Sequence, residues 1–171
     1  MAFTRLVLPF ILIPAILSCG FFLMFSFMTV KGDSMSPLIN EGQHILYARF
    51  FYGLRTDKYW VRWNKVRNGD LVVFRQTGND RLLIKRCIGV SGDRIYCSDN
   101  KIQIAAGHTL ELSSGMCDYF SDYAVVPENY LFVAGDNADN SIDSRTFGFV
   151  HRDDVRGKVV YISGIQDRYG N

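Results

Sequence analysis

From Leu6 to Val30 the chain carries no charged side chain; the run reads LVLPFILIPAILSCGFFLMFSFMTV. A helix crosses a bilayer with ~20 consecutive apolar residues, so this segment is long enough to do so. A cleaved leader would have a shorter apolar core with a polar region after it. Ser18-Cys19-Gly20 has the outline of a lipid-attachment site, but the apolar run continues well past Cys19. The expectation is therefore one retained transmembrane helix, with 1–30 as the anchor and 31–171 as a domain outside the bilayer. Pro9 and Pro14 fall near the start of the run, where a membrane helix tolerates them. Charge does not fix the orientation: Arg5 and the amino terminus stand on one side, Lys31 on the other.

The chain has 171 residues, which leaves enough after the anchor for one domain with its own core. A net charge of +2 is too small to argue for nucleic acid. Past residue 40 the pattern is one of short apolar runs between turn signals. Leu71-Val72-Val73-Phe74 and Leu82 to Ile88 flank Gly78-Asn79-Asp80 and read as a hairpin. Further strands are expected around His44–Ala48, Arg94–Tyr96, Lys101–Ile104, Tyr130–Ala134 and Lys158–Ile162. The fold class is mostly β, an antiparallel barrel-like or sandwich domain. Cys97 and Cys117 flank a polar stretch and are expected to form a disulfide, which needs an oxidising compartment.

Arg49 to Arg67 differs in composition: six basic residues and six aromatics stand against one acid, Asp57. Such a mixture stacks on single-stranded nucleic acid or rests in a headgroup layer. In a chain already tethered to a bilayer, the lipid surface is the expected partner and nucleic acid is not.

Chemistry is concentrated in three patches. In KGDSMSPLIN, Lys31 to Asn40, Ser34 sits in a Gly-x-Ser setting without the second glycine of a nucleophile elbow. The histidines, His44, His108 and His151, are scattered, so none is an obvious base. A lysine substitutes for histidine when burial disfavours its ammonium form; arginine cannot. Lys85 stands within the apolar run LLIKRCI, sharing a strand face with Leu83 and Cys87 while Arg86 points to water. The third patch, GDNADNSIDSRTFG, Gly135 to Gly148, is dense in turn-forming residues. It fails as a calcium loop, because Ala138 and Ser141 occupy positions that need a ligand and a glycine. Asp143 and Arg145 are placed to pair.

Together and in this order behind an apolar anchor, GDSMSPL, IKRCIGVSGD and GDNADNSIDSRTFG resemble the boxes of the type I signal peptidases, membrane-bound serine/lysine endopeptidases. The resemblance implies Ser34 as nucleophile, Lys85 as general base, Ser141 orienting Lys85, and Asp143 and Arg145 supporting the wall behind it. It implies the Ser34 backbone N–H as oxyanion donor and Met35 and Ile84 as lining of the substrate pockets. It implies no metal or cofactor, precursors bearing signal peptides as partners, and a single-pass protein of the bacterial inner membrane with its catalytic domain on the periplasmic side. Departures occur at Gly32, Leu38, Ser91 and Ala138. A specialised peptidase that matures pilin in conjugation, or an inactive anchored assembly protein, are the alternatives. Ser34 is four residues beyond Val30, within ~14 Å of the end of the apolar run at ~3.5 Å per residue.

Overall fold

The computed structural model describes residues 2–55, 60–76, 78, 81–104 and 107–164, with side chains undescribed at 2–9, 11, 17, 54, 55, 60 and 108. The apolar run divides. Its first part is helix α1, Ala2–Met24, and its last part is strand β1, Phe25–Thr29. Among the described residues no helix is long and apolar enough to cross a membrane. The helix thus stops short of Val30, and the five residues of β1 add about 17 Å of extended chain between its end and Ser34.

The remaining strands are β2 (His44–Ala48), β3 (Gly53–Arg55), β4 (Trp60–Arg62), β5 (Leu71–Arg75), β6 (Leu82–Val90), β7 (Ile95–Ser98), β8 (Lys101–Ile104), β9 (His108–Glu111), β10 (Tyr130–Ala134), β11 (Val150–His151) and β12 (Val155–Ile162). Among the described residues β1 and six of these form one antiparallel sheet in the order β1-β2-β12-β5-β6-β10-β11. Register slips at Phe132/Val133, Val155/Gly157 and Val159/Tyr161 mark bulges. Bulges add local twist and bend, and they curl this sheet into a half-barrel. Gly157 sits in one of them, where a Cβ would overlap the Ala48 carbonyl.

Alternation along the strands buries both faces. Ile45, Tyr47, Val73, Ile84 and Val159 pack with Val30, Met35 and Ile39 on one side. Val72, Phe74, Cys87, Leu131 and Val133 pack on the other. The hairpin expected from the sequence is β5–β6, with Val72 opposite Lys85. A three-stranded sheet, β7-β8-β9, lies over Ile88, Phe132 and Ala134 together with helix α2, Met116–Ser121. Cys97 of β7 and Cys117 of α2 are disulfide-bonded, with Cα atoms 5.9 Å apart. The basic-aromatic stretch holds the β3–β4 hairpin, from which Val61 and Trp63 project to solvent. Its Asp57, Lys58 and Tyr59 lie outside the described residues.

Candidate active site

Ser34 follows β1 in a loop tied down at both ends. Met35 and Ile39 plug into the apolar cluster beneath, at 2% and 0% exposure, so the loop cannot lift without exposing them. The Ser36 N–H donates to the Asp33 carbonyl (2.9 Å) and that of Ile39 to Met35 (2.9 Å), closing two turns. This leaves Ser34 half-buried at the loop's crest.

Lys85 comes from the middle of β6 and is 3% exposed. Its Nζ lies 2.6 Å from Ser34 Oγ. Burial pushes the Lys85 ammonium below its ordinary pKa; the Asp143 carboxylate pulls it back up, Arg145 opposes that, and Asp136 adds a smaller upward pull. The net direction is down. At this separation the ammonium donates to Ser34, and the neutral amine accepts the hydroxyl proton.

Asp143 and Arg145 form the wall. Asp143 is fully buried and caps the short helix α3, Ser144–Phe147, by accepting from the Arg145 N–H (3.1 Å). Its carboxylate also takes Nε (2.8 Å) and Nη2 (2.8 Å) of Arg145, the Gly135 N–H (2.8 Å) and the Ser141 hydroxyl (2.6 Å). Burial alone would raise the Asp143 pKa; the hydrogen bonds from Arg145, Gly135 and Ser141 outweigh it and hold the group ionised. Ser141 therefore spends its proton on Asp143 and makes no hydrogen bond to Lys85, in contrast to the orienting role expected for it. Met35 and Ile84, expected to line substrate pockets, are buried at 2% and 8% within the cluster under the site.

Several residues that hold the site escape a reading of the sequence. Arg86 does not point to water: its Nε and Nη2 grip the two Asp136 oxygens at 2.8 and 2.7 Å, and Nη1 donates to the Gly69 carbonyl. Asn137 N–H donates to the Ser34 carbonyl (3.1 Å), Asn137 Nδ2 to the Asp33 carbonyl (3.2 Å), and Asn140 Nδ2 to Asp33 Oδ1 (2.7 Å). Gly135 lies so close that a Cβ would overlap Ser141 Oγ and the Ser34 carbonyl. Asn and Asp in such a patch read as turn formers, and only the fold shows that they clasp a loop a hundred positions earlier. His44 pairs with Thr29 Oγ1 (3.0 Å), and His151 Nδ1 accepts from the Asp153 N–H (3.3 Å); neither bonds to Ser34.

Comparison with known proteins places the chain in a family. The chain is 26% identical over 205 aligned residues to signal peptidase I of Buchnera aphidicola subsp. Schizaphis graminum, covering 78% of the chain and 66% of that protein. It is 28% identical over 152 residues to signal peptidase IB of Staphylococcus aureus, covering 78% and 74%. A crystal structure of a signal peptidase I from Enterococcus faecalis aligns at a TM-score of 0.43 and 28% identity, over 57% of this chain and 98% of that one. The family described as "Signal peptidase, peptidase S26" matches residues 3–163, nearly the whole span from α1 to the end of β12, and the chain belongs to it.

Proposed function

We propose that this member of the family is a membrane-bound serine endopeptidase that removes N-terminal signal peptides from exported precursors, with Ser34 as nucleophile and Lys85 as general base. The observation that carries the assignment is the 2.6 Å contact between Nζ and Oγ at a lysine that is 3% exposed. Neutral Lys85 takes the hydroxyl proton as Ser34 Oγ attacks the scissile carbonyl. The Ser34 backbone N–H has no acceptor among the described residues and donates to the oxyanion. The Lys85 ammonium then protonates the departing amine, leaving an ester on Ser34. Lys85, neutral again, draws a proton from water, which hydrolyses the ester and restores the hydroxyl.

The anchor is α1, uncharged from Leu6 onward and presenting Phe10, Ile16 and Phe22 at 67–77% exposure. Such an apolar surface needs lipid or protein over it. The Cys97–Cys117 disulfide supports an oxidising compartment, hence a domain on the periplasmic face of the inner membrane. Met35 and Ile84 shape the floor below the scissile bond.

The test is cleavage of exported precursors by the purified full chain in detergent micelles, read by mass spectrometry. Ser34→Ala and Lys85→Arg each lower the rate by roughly 10³-fold or more, with the circular dichroism spectrum unchanged. Appreciable cleavage by Lys85→Arg sinks the neutral-lysine base. Undiminished cleavage by Ser34→Ala sinks the nucleophile and leaves an anchored assembly protein as the better reading.

A further inference from the structure

Two peptide planes flank Ser34, and one residue holds both of their carbonyls. The Asp33 carbonyl accepts from Asn137 Nδ2 (3.2 Å) and from the Ser36 N–H (2.9 Å). The Ser34 carbonyl accepts from the Asn137 N–H (3.1 Å). Asn137 precedes a short 3₁₀ turn, Ala138–Asn140, at the position where an asparagine side chain ordinarily bonds back to the turn's own N–H groups. It makes no such bond, and its amide turns to Asp33 instead. From the other end of the turn Asn140 Nδ2 reaches Asp33 Oδ1 (2.7 Å), so the residue before the nucleophile is gripped by main chain and side chain alike.

A trans peptide is planar, so its N–H points opposite to its carbonyl. The Asp33–Ser34 bond is trans. Pinning the Asp33 oxygen toward the 137–140 loop therefore turns the Ser34 N–H away from that loop, where no acceptor among the described residues takes it. A half-turn of this plane would put a carbonyl oxygen where the negative charge develops, converting a stabilising dipole into an opposing one. Gly32, two positions earlier, has no side chain to take over the donation. Gly135 leaves no room for a Cβ beside the Ser34 carbonyl, so the second plane is hemmed in from that side too.

We propose that Asn137 is a positioning residue for the oxyanion: its side-chain amide sets the direction of the Ser34 N–H without touching the substrate. The proposal deepens the reading of Ser34 as nucleophile and rests on it. It gives the carboxamide a part in the rate of bond making and none in substrate binding. Nor does the carboxamide set the basicity of Lys85, which is governed by burial, Asp143, Arg145 and Asp136.

The experiment is steady-state cleavage of a signal-peptide-bearing precursor by full-length Asn137→Ala in detergent micelles, beside inhibition by a peptide boronate carrying the residues that precede the cleaved bond. Ser34 Oγ adds to boron, its proton passes to Lys85, and boron becomes tetrahedral and anionic, with an oxygen where the oxyanion forms. The expected fall in kcat is roughly 30-fold, less than the ~10²–10³-fold of deleting a donor outright, because the N–H remains. KM stays within about twofold, boronate affinity falls by the same factor as kcat, and the acid limb of the pH profile does not move. Asn137→Asp matches the shape and replaces the donor by an acceptor; it loses at least as much, and is read in place of the alanine variant should that fold poorly. Undiminished kcat in both variants, boronate affinity that holds while kcat falls, or an acid limb that shifts in Asn137→Ala overturns the role. An inactive Ser34→Ala beside a normal Asn137→Ala removes the positioning role alone, whereas an active Ser34→Ala removes the nucleophile itself.

Discussion

An amine with the ordinary lysine pKa of ~10.4 is nearly all ammonium at neutral pH, and an ammonium cannot take the Ser34 proton. Lys85 escapes this through burial, which disfavours its charged form in the folded chain alone. The folded state therefore binds fewer protons than the unfolded one between its lowered pKa and the ordinary value. Stability rises with pH through that window, and below it the full penalty of the buried charge is present. Lys85→Met is accordingly expected to melt higher than wild type at acid and neutral pH, with the difference shrinking toward the ordinary lysine value. Thermal melts across pH check this, and a difference that does not vary with pH removes the buried-amine argument. The acid limb of the cleavage profile follows the same lowered pKa. At this scale the burial of Lys85 and the pairing of Asp143 with Arg145 are legible in the sequence, because apolar neighbours announce the first and a spacing of two residues permits the second. Arg86 is not: strand alternation sends it outward, and its Asp136 partner arrives fifty positions later.

Strand β1 and the loop around Gly135 show what elements add. Phe25–Thr29 belongs to an apolar run whose periodicity cannot separate a buried helix from a strand. Only its pairing with β2, Phe25 opposite Ala48 through Thr29 opposite His44, decides the matter. The β5–β6 hairpin is readable because a turn signal lies between two β-rich runs, whereas β9 and α2, though flanked by Gly107 and Ser113-Ser114-Gly115, are only four and six residues long and show no sustained period. Gly135 closes β10 onto the active site and leaves no room for a methyl group between Ser141 and the Ser34 carbonyl. Gly135→Ala is expected to push these segments apart and cut kcat by roughly 10²-fold, since small displacements of reacting groups cost that much. Steady-state kinetics with an unshifted circular dichroism spectrum check it; near-normal kcat shows that the loop relaxes freely.

On the scale of the molecule, the main sheet and the loop after its first strand hold Lys85 and Ser34, and a smaller disulfide-linked sheet rides on it. The bond joins residues 20 apart in sequence, and a loop of this size contributes about 3 kcal/mol in the chain-entropy account. Cys97→Ser/Cys117→Ser is expected to lower the melting temperature while cleavage persists at low temperature, because the dyad sits on β6 and the loop after β1. Melts with and without reductant measure it, and wild-type insensitivity to reductant at the transition refutes it. Composition and spacing suggested the bond; the curl of the sheet, set by three bulges, left no mark that a residue pattern could show.

The clasp between Asp33 and its two asparagines spans 104 and 107 positions of chain. A growing polypeptide that has emerged only as far as β6 already owns the hydroxyl and the amine, yet lacks the segment that seats one against the other. Proteolytic competence thus arrives late in synthesis, after most of the chain has been made. Until that segment is made, the hydroxyl and the amine are held apart by nothing more than an unfinished fold.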